Sequence, residues 1–362
     1  MKALEQSKQG MQGISNKANT NVQSKSEIVK GTSNTVNSSN NNNKRGVSDV
    51  KRLVLFMHSK GNNYSDLVTL LYMFIHIKEI NVYHQQLNTK NKFISQVFNV
   101  INSYKQCISN NSLEPIVNVD ECSIAFTEQF NNILSKQQIL PKIFQLYIQQ
   151  LPINKKFINN IYFDIKCSHC NNAFIQEYPQ CMFYDLKIKD ILSLNNPNNN
   201  NDLLYLLKLA FLTKPIKCNK CSKDKASRIK INNNNNELRY FMLSCIWEDA
   251  LIKKNEYIKK VYSLLNASVM KDSFYADMLH KLKIIVFTCG SDYVSLFYED
   301  NRFVLYLSNI FMCFNNLNDA LKFMSDNLKR NYYPEVIIYE VSKPIQQQQQ
   351  QQPSSSIQKK TK

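Results

Sequence analysis

Apolar residues recur at helical spacing early in the chain and switch to short, strand-like runs beyond Lys155. From Tyr64 to Ile80, Leu67, Leu70, Leu71, Phe74 and Ile75 share one face behind the turn-prone Lys60-Gly61-Asn62-Asn63, which predicts a long helix. The pattern repeats over Lys92 to Tyr104 and over Ile124 to Leu134. Asn118-Val119-Asp120-Glu121 places acids ahead of the latter, as a helix start prefers. Asn160 to Ile165, Cys181 to Leu186 and Ser227 to Ile231 then read as short strands broken by Asn and Pro. Glu237 to Trp247 is a long buried-strand run, and Glu256 to Leu265 a helix. Three strands follow, Lys283 to Thr288, Tyr293 to Tyr298 and Arg302 to Leu307, joined by tight polar turns. Leu317 to Leu328 reads as a helix and Pro334 to Val341 as a closing strand. The expected fold class is α+β: a helical lobe, then an antiparallel sheet carrying a clipped extension.

Both ends break these patterns. Residues 1–46 are Ser, Asn, Gln, Lys and Gly with almost no aromatics, and the tail carries Gln346 to Gln352. Neither buries enough apolar surface to offset its ordering entropy, so both are expected to be disordered. The expected divisions are a tail over 1–46, a helical lobe over 47–155, a metal-binding extension over 156–230, a sheet over 231–343 and a tail over 344–362. No apolar run nears the roughly 18 residues that span a bilayer, and the N-terminus lacks an apolar signal core. The ten cysteines fit a reducing compartment better than a disulfide scaffold. An intracellular protein, cytoplasmic or nuclear and without a membrane partner, is expected. The net charge is +17, but Lys far outnumbers Arg and the lysines are spread singly through Asn- and Ile-rich text. That pattern reads as a solvated surface, so nucleic acid is not expected as a partner.

Candidate chemistry enters with two Cys-x-x-Cys pairs, Cys167/Cys170 and Cys218/Cys221, each beside a predicted strand. One pair bites an ion from a tight turn, and two pairs complete a tetrahedral four-sulfur shell, the usual structural zinc site. Four buried free thiols are the alternative; two such pairs in one short region favour the metal. With four protein ligands no position is open for water, so the expected zinc holds structure and performs no chemistry.

This order of parts resembles the ubiquitin-specific protease family, papain-like cysteine proteases built as thumb, fingers and palm. Besides the cysteine pairs, Trp247-Glu248-Asp249 closing a β run is similar to the family's palm strand. Gly290-Ser291-Asp292-Tyr293-Val294 resembles its Gly-His-Tyr motif with the His replaced. Asn331-Tyr332-Tyr333-Pro334 running into Val336-Ile337-Ile338-Tyr339-Glu340 resembles the terminal strand of the divergent, inactive branch. At the front, Gly61-Asn62-Asn63-Tyr64-Ser65-Asp66-Leu67 is similar to the nucleophile loop, in which a Cys opens a long helix.

The resemblance implies a Cys nucleophile, a His base and an orienting Asp or Asn. The matching positions here are Ser65, Asp292 and Leu307. A Ser hydroxyl without a base is too weakly acidic to attack, an ionised Asp is a poor proton acceptor, and Leu orients nothing. Of the five histidines, His58, His76, His84, His169 and His280, none stands on the palm strand facing the nucleophile. His280 and Cys289 bracket a strand entry, and Cys122 reads as helix packing. The expected function is that of a catalytically inactive ubiquitin-specific-protease-like protein binding ubiquitin or ubiquitinated proteins. The alternatives are a scaffold in an RNA-processing or other assembly that has lost ubiquitin, and an active deubiquitinase.

Overall fold

The helical text at the front folds as a layer of five helices around aromatic side chains. The computed structural model describes residues 55–57, 65–83, 90–110, 116–130, 139–194, 202–267, 270–271, 274–275, 278–290, 292–307, 310–328 and 330–342, all within one compact unit beginning at Lys51. Both predicted tails, the loop ahead of Ser65, His58, His84 and the Asn195–Asn201 run lie outside the described residues. The single helix predicted to Ile80 is two, α1 (Ser65–His76) and α2 (Lys78–Tyr83), broken at Ile77. Helix α3 (Lys92–Ser109) starts where the Asn91 side chain accepts from the Ile94 amide. Helix α4 (Asp120–Phe130) begins earlier than predicted because Asp120 and Glu121 form its first turn. Helix α5 (Ile139–Gln149) was not predicted; its Pro141 reads as a breaker, yet in a first turn its missing N–H costs nothing. Strands β1 (Leu55–Met57) and β2 (Ile116–Asn118) form a small parallel ribbon beside these helices, also unpredicted.

The second half builds the central sheet. Strands β3 (Ile161–Cys167), β4 (Ala173–Glu177) and β6 (Ala226–Asn233) form a separate small sheet in the order β4-β3-β6. The large sheet comprises β5 (Phe183–Lys187), β7 (Tyr240–Ile246), β9 (Leu279–Cys289), β10 (Asp292–Glu299), β11 (Arg302–Leu307), β12 (Ile310–Phe314) and β13 (Tyr333–Ser342). Its order is β12-β11-β10-β9-β13-β7-β5, with β8 (Met270–Lys271) pairing off β9. The expected antiparallel sheet is corrected at one edge: β5 runs parallel to β7, because the chain between them passes through the small sheet and re-enters in the same direction. Asp300 and Asn301, both at positive φ, close the two-residue β10–β11 turn.

The large sheet divides two cores. Alternate residues go to opposite faces: Phe297, Tyr306, Val336 and Ile338 meet α1, α3 and α5, while Leu296, Leu305, Ile337 and Tyr339 face the other way. There α9 (Asn255–Ala267) and α10 (Leu317–Asn327) cover the sheet, with α8 (Asp249–Ile252) leading into α9. Helices α6 (Ile188–Leu194) and α7 (Leu203–Thr213) belong to the same core, α7 packing on β6. Neither was predicted: LLYLLKLAFLT is apolar all round and shows no helical stripe.

Asn159 ties the two sheets together. It is fully buried, its side-chain amide donates to the Cys181 and Met182 carbonyls, and its Oδ1 accepts from the Tyr275 hydroxyl at 2.8 Å. Asn159→Ala strands those groups and is expected to cost about 1–3 kcal/mol. Tyr275→Phe should cost less, and the double variant less than the sum, as urea melts of the four proteins would show.

Candidate metal centre and the acidic corner

The two cysteine pairs fold into matching loops at one end of the small sheet. In each, the first Cys amide donates to the carbonyl five residues on, Cys167 to Asn172 and Cys218 to Lys223, both at 2.9 Å. The residue before that carbonyl, Asn171 or Ser222, sits at positive φ, which turns the chain back onto the sulfurs. Ser168 donates its amide to the Lys225 carbonyl and locks one loop to the other. The Cys167 and Cys221 sulfurs are 3.7 Å apart and those of Cys170 and Cys218 3.6 Å; all four lie within 4.8 Å of one another. An ion about 2.3 Å from each of four tetrahedral sulfurs sets them about 3.8 Å apart, so the set fits one ion. The amides of Cys221 and Lys220 aim at the Cys218 sulfur and hold its pKa down to about 6, while burial and the neighbouring sulfurs push Cys170 up to about 11, so the four do not ionise together without an ion. His169, exposed in the first loop, is outside the sulfur set.

A second feature is the corner where the remaining predicted positions fall. Helix α1 runs in step with β10: Thr69 bonds Ser295, Tyr72 packs near Phe297, and His76 Nδ1 lies 3.2 Å from Glu299. One turn before Thr69 is Ser65, at the level of the first residues of β10, where Asp66 and Tyr293 interact. Asp292 opens β10 and is ion-paired with Arg330. Leu307 ends β11 opposite Val294. Helix start, strand start and strand end therefore meet at one end of the large sheet.

No histidine among the described residues joins them. His76 is at the far end of α1, about 16 Å along the axis from Ser65, stacked on Phe297. His280 is buried among Phe241, Phe274 and Tyr275, and Cys289 is at the other end of β9, about 30 Å away. Burial holds the thiols of Cys122 and Cys181 up, to about 12 and 11, and raises those of Cys245 and Cys313 as well. None of these four has the depressed pKa of an activated nucleophile.

Sequence reading missed Glu335. It sits in the β-bulge where β13 slips register against β9 between Pro334 and Val336, and the bulge turns its side chain inward. The indole of Trp247 anchors the bulge by donating to the Pro334 carbonyl at 2.8 Å. The carboxyl is buried, beside the Tyr293 hydroxyl and the Leu140 amide, and its Oε1 has no hydrogen-bond partner among the described residues. Burial raises its pKa to about 7. Burial also raises Asp66, despite the Leu67 amide it accepts from. The strand text PEVIIYEV carries two charged residues, Glu335 and Glu340, and nothing in it says which one is buried.

No protein-family model matches the chain, and no curated protein matches it. Solved structures share its fold. A chain of the SAGA DUB module Ubp8/Sgf11/Sus1/Sgf73 bound to monoubiquitin superposes with a TM-score of 0.52 at 13% identity, over 80% of this chain and 69% of that one. A second structure of that module gives 0.51 at 11% identity, over 84% and 71%. The Saccharomyces cerevisiae Pan2 pseudoubiquitin hydrolase-RNA exonuclease module in complex with A7 RNA gives 0.48 at 11%, over 76% of this chain and 52% of that one. The chain thus has an α+β fold like that of these DUB-module chains. The expectation that sets nucleic acid aside is corrected: the Pan2 module among these matches is itself in complex with RNA. No helix among the described residues is long and apolar enough to cross a membrane.

Two outcomes follow. Chelation, or Cys167→Ser, should lower the melting temperature and the metal content together, whereas Cys107→Ser, on α3 and remote from the sulfurs, should change neither. For Glu335 the folded pKa is raised, so the native state binds the extra proton. Stability should fall as pH rises from about 4.5 to about 7, by on the order of 3 kcal/mol, and then level off. Glu335→Gln should flatten that dependence and be more stable than the parent at pH 8, read from melts across pH.

Proposed function

We propose that the chain is a catalytically inactive member of the ubiquitin-specific-protease-like group that binds ubiquitin or ubiquitinated proteins. The observation that supports this reading is a fold like that of a module bound to monoubiquitin, in which the positions that the sequence resemblance assigns to nucleophile, base and orienter carry Ser65, an ion-paired Asp292 and Leu307. Among the described residues no histidine stands at the start of α1 to take a proton from Ser65, and Asp292 is committed to Arg330. Residues 47–155 are assigned as thumb, 156–230 as fingers and 231–343 as palm. The metal is assigned as zinc, because four tetrahedral thiolates suit a soft, redox-silent ion. Its role is structural, since Cys167, Cys170, Cys218 and Cys221 close the shell. Binding survives the loss of chemistry because a broad surface supplies affinity while three side chains supply the reaction.

The test has two arms. A fluorogenic ubiquitin substrate and a thiol-trapping ubiquitin probe should show neither turnover nor labelling, and Ser65→Cys alone should not restore either. Titration into isotope-labelled ubiquitin should shift resonances with an affinity on the order of micromolar, weakened by metal removal. Turnover would overturn the inactive assignment; absence of shifts at about 300 µM would overturn ubiquitin binding.

A further inference from the structure

We infer that the metal-clamped tip of the small sheet is a binding surface for the phosphate backbone of nucleic acid. Residues 51–342 carry 34 Lys or Arg against 25 Asp or Glu, a net charge of +9, and residues 214–230 alone contribute +6 of it. The lysines are spread through most of the chain but dense in this one stretch. Lys214, Lys217, Lys220, Lys223, Lys225 and Lys230 are all exposed, against one acid in the segment, Asp224. None of the six is ion-paired among the described residues. Arg228 is not part of this surface: it donates to the Phe211 carbonyl and to Gln176 and lies over the Phe163 ring, joining α7 to the sheet.

Offsetting the metal centre explains only part of this charge. A divalent ion on four thiolates carries a net −2, which leaves most of the lysine charge unopposed. The lysines also stand on fixed backbone, because Lys217, Lys220 and Lys223 bracket the second cysteine loop with its internal bonds from Cys218 to Lys223 and from Ser222 to Cys218. Beside them is an open depression of about 380 Å³ whose lining includes Ser168, Thr213, Lys214, Lys225 and Ser227 together with Asp224. Hydroxyls and ammonium groups around a shallow hollow are the donors that phosphate oxygens take. The tip lacks what other anionic partners need. Of the exposed large apolar side chains, Ile229 alone lies within 214–230, beside Lys230, and none among the described residues is in the cysteine loops over 166–172 or 212–227. A membrane surface would require apolar groups to insert, and an acidic protein an aromatic or aliphatic anchor. The exposed ring in the cysteine loops is that of His169, and with ammonium groups far in the majority the surface reads charge more than sequence.

The test is fluorescence anisotropy of the full chain with a labelled twenty-nucleotide uridine RNA across a salt series. The triple variant Lys217→Glu/Lys220→Glu/Lys223→Glu should bind at least tenfold more weakly, with the salt slope reduced by about two, as three lost phosphate contacts on a single strand imply. Lys253→Glu/Lys259→Glu/Lys322→Glu makes the same charge change at exposed positions, a helix C-cap and two helical sites, and should change affinity less than twofold. Equal losses in the two variants would make this a bulk-charge effect and overturn the site. Retained affinity in the tip variant would assign binding to the sequences outside residues 51–342, which carry the remaining +8, and overturn it too. Vesicles of phosphatidylserine and phosphatidylcholine, and polyglutamate, should bind more weakly than RNA; tip-dependent binding of either at least as tight as RNA would replace this partner. Metal content and melting temperature are measured on every variant. If the triple variant loses its metal, Lys214→Glu/Lys225→Glu, outside the cysteine loop, is read by the same criteria.

Discussion

Thr69 and Ser295 share a hydrogen bond inside the seam between α1 and β10, among side chains that are otherwise apolar or aromatic. A slip of the helix along the strand would leave two buried hydroxyls unpaired, and the surrounding low dielectric makes that expensive. The aromatic contacts are in the same register, Tyr72 with Phe297 and Tyr306, and His76 stacked on Phe297. Much depends on this seam. It fixes the start of α1 against the start of β10, and it sets the depth at which α3 and α5 close the helical core. Stacking of Phe74 on Tyr147 at 4.1 Å then draws α5 in, which brings the Leu140 amide to the Glu335 carboxyl.

How much of this was legible from sequence follows from which interactions are local. Strands β9 to β11 and β13 were legible because their alternation and their turns lie in the text; Arg302–Leu307 matches the predicted limits. The cysteine set was legible because spacing within each pair is the chemistry, and only the approach of one pair to the other needed the fold. Helices α5 and α7 were hidden for opposite reasons, one by a proline that is harmless in a first turn, the other by apolar residues on every face. The parallel β5–β7 edge was hidden because direction depends on a long excursion through the small sheet, about which local pattern says nothing. Glu335 was hidden because a bulge is a mismatch between two strands, visible only when both are in place. The lysines of the tip were legible as a dense stretch over 214–230, which the chain-wide spread of lysine obscured.

The corner that the seam creates is electrostatically opposed to papain-like chemistry, beyond lacking its groups. Such a reaction needs a thiolate stabilised by a neighbouring cation, and donors aimed at a developing oxyanion. Asp66, Asp292 and Glu335 instead bring three carboxyls to the end of the sheet where α1 and β10 begin. Arg330 neutralises Asp292, while burial holds Glu335 up near neutrality and raises Asp66. Any negative charge developing at Ser65 would meet Asp66 at once. A carboxyl as deeply buried as Glu335 is tolerated because it packs the bulge against α5 and because protonation removes its charge. That is a stability solution. Charge is thus unevenly placed: acids at the corner of the large sheet, lysines at the tip of the small one. On the proposed assignment the first arrangement removes catalysis without loosening the fold, and the second leaves an exposed cationic surface on a metal-pinned loop. Neither depends on the other, so binding at the tip and binding by the body of the fold are free to serve different partners.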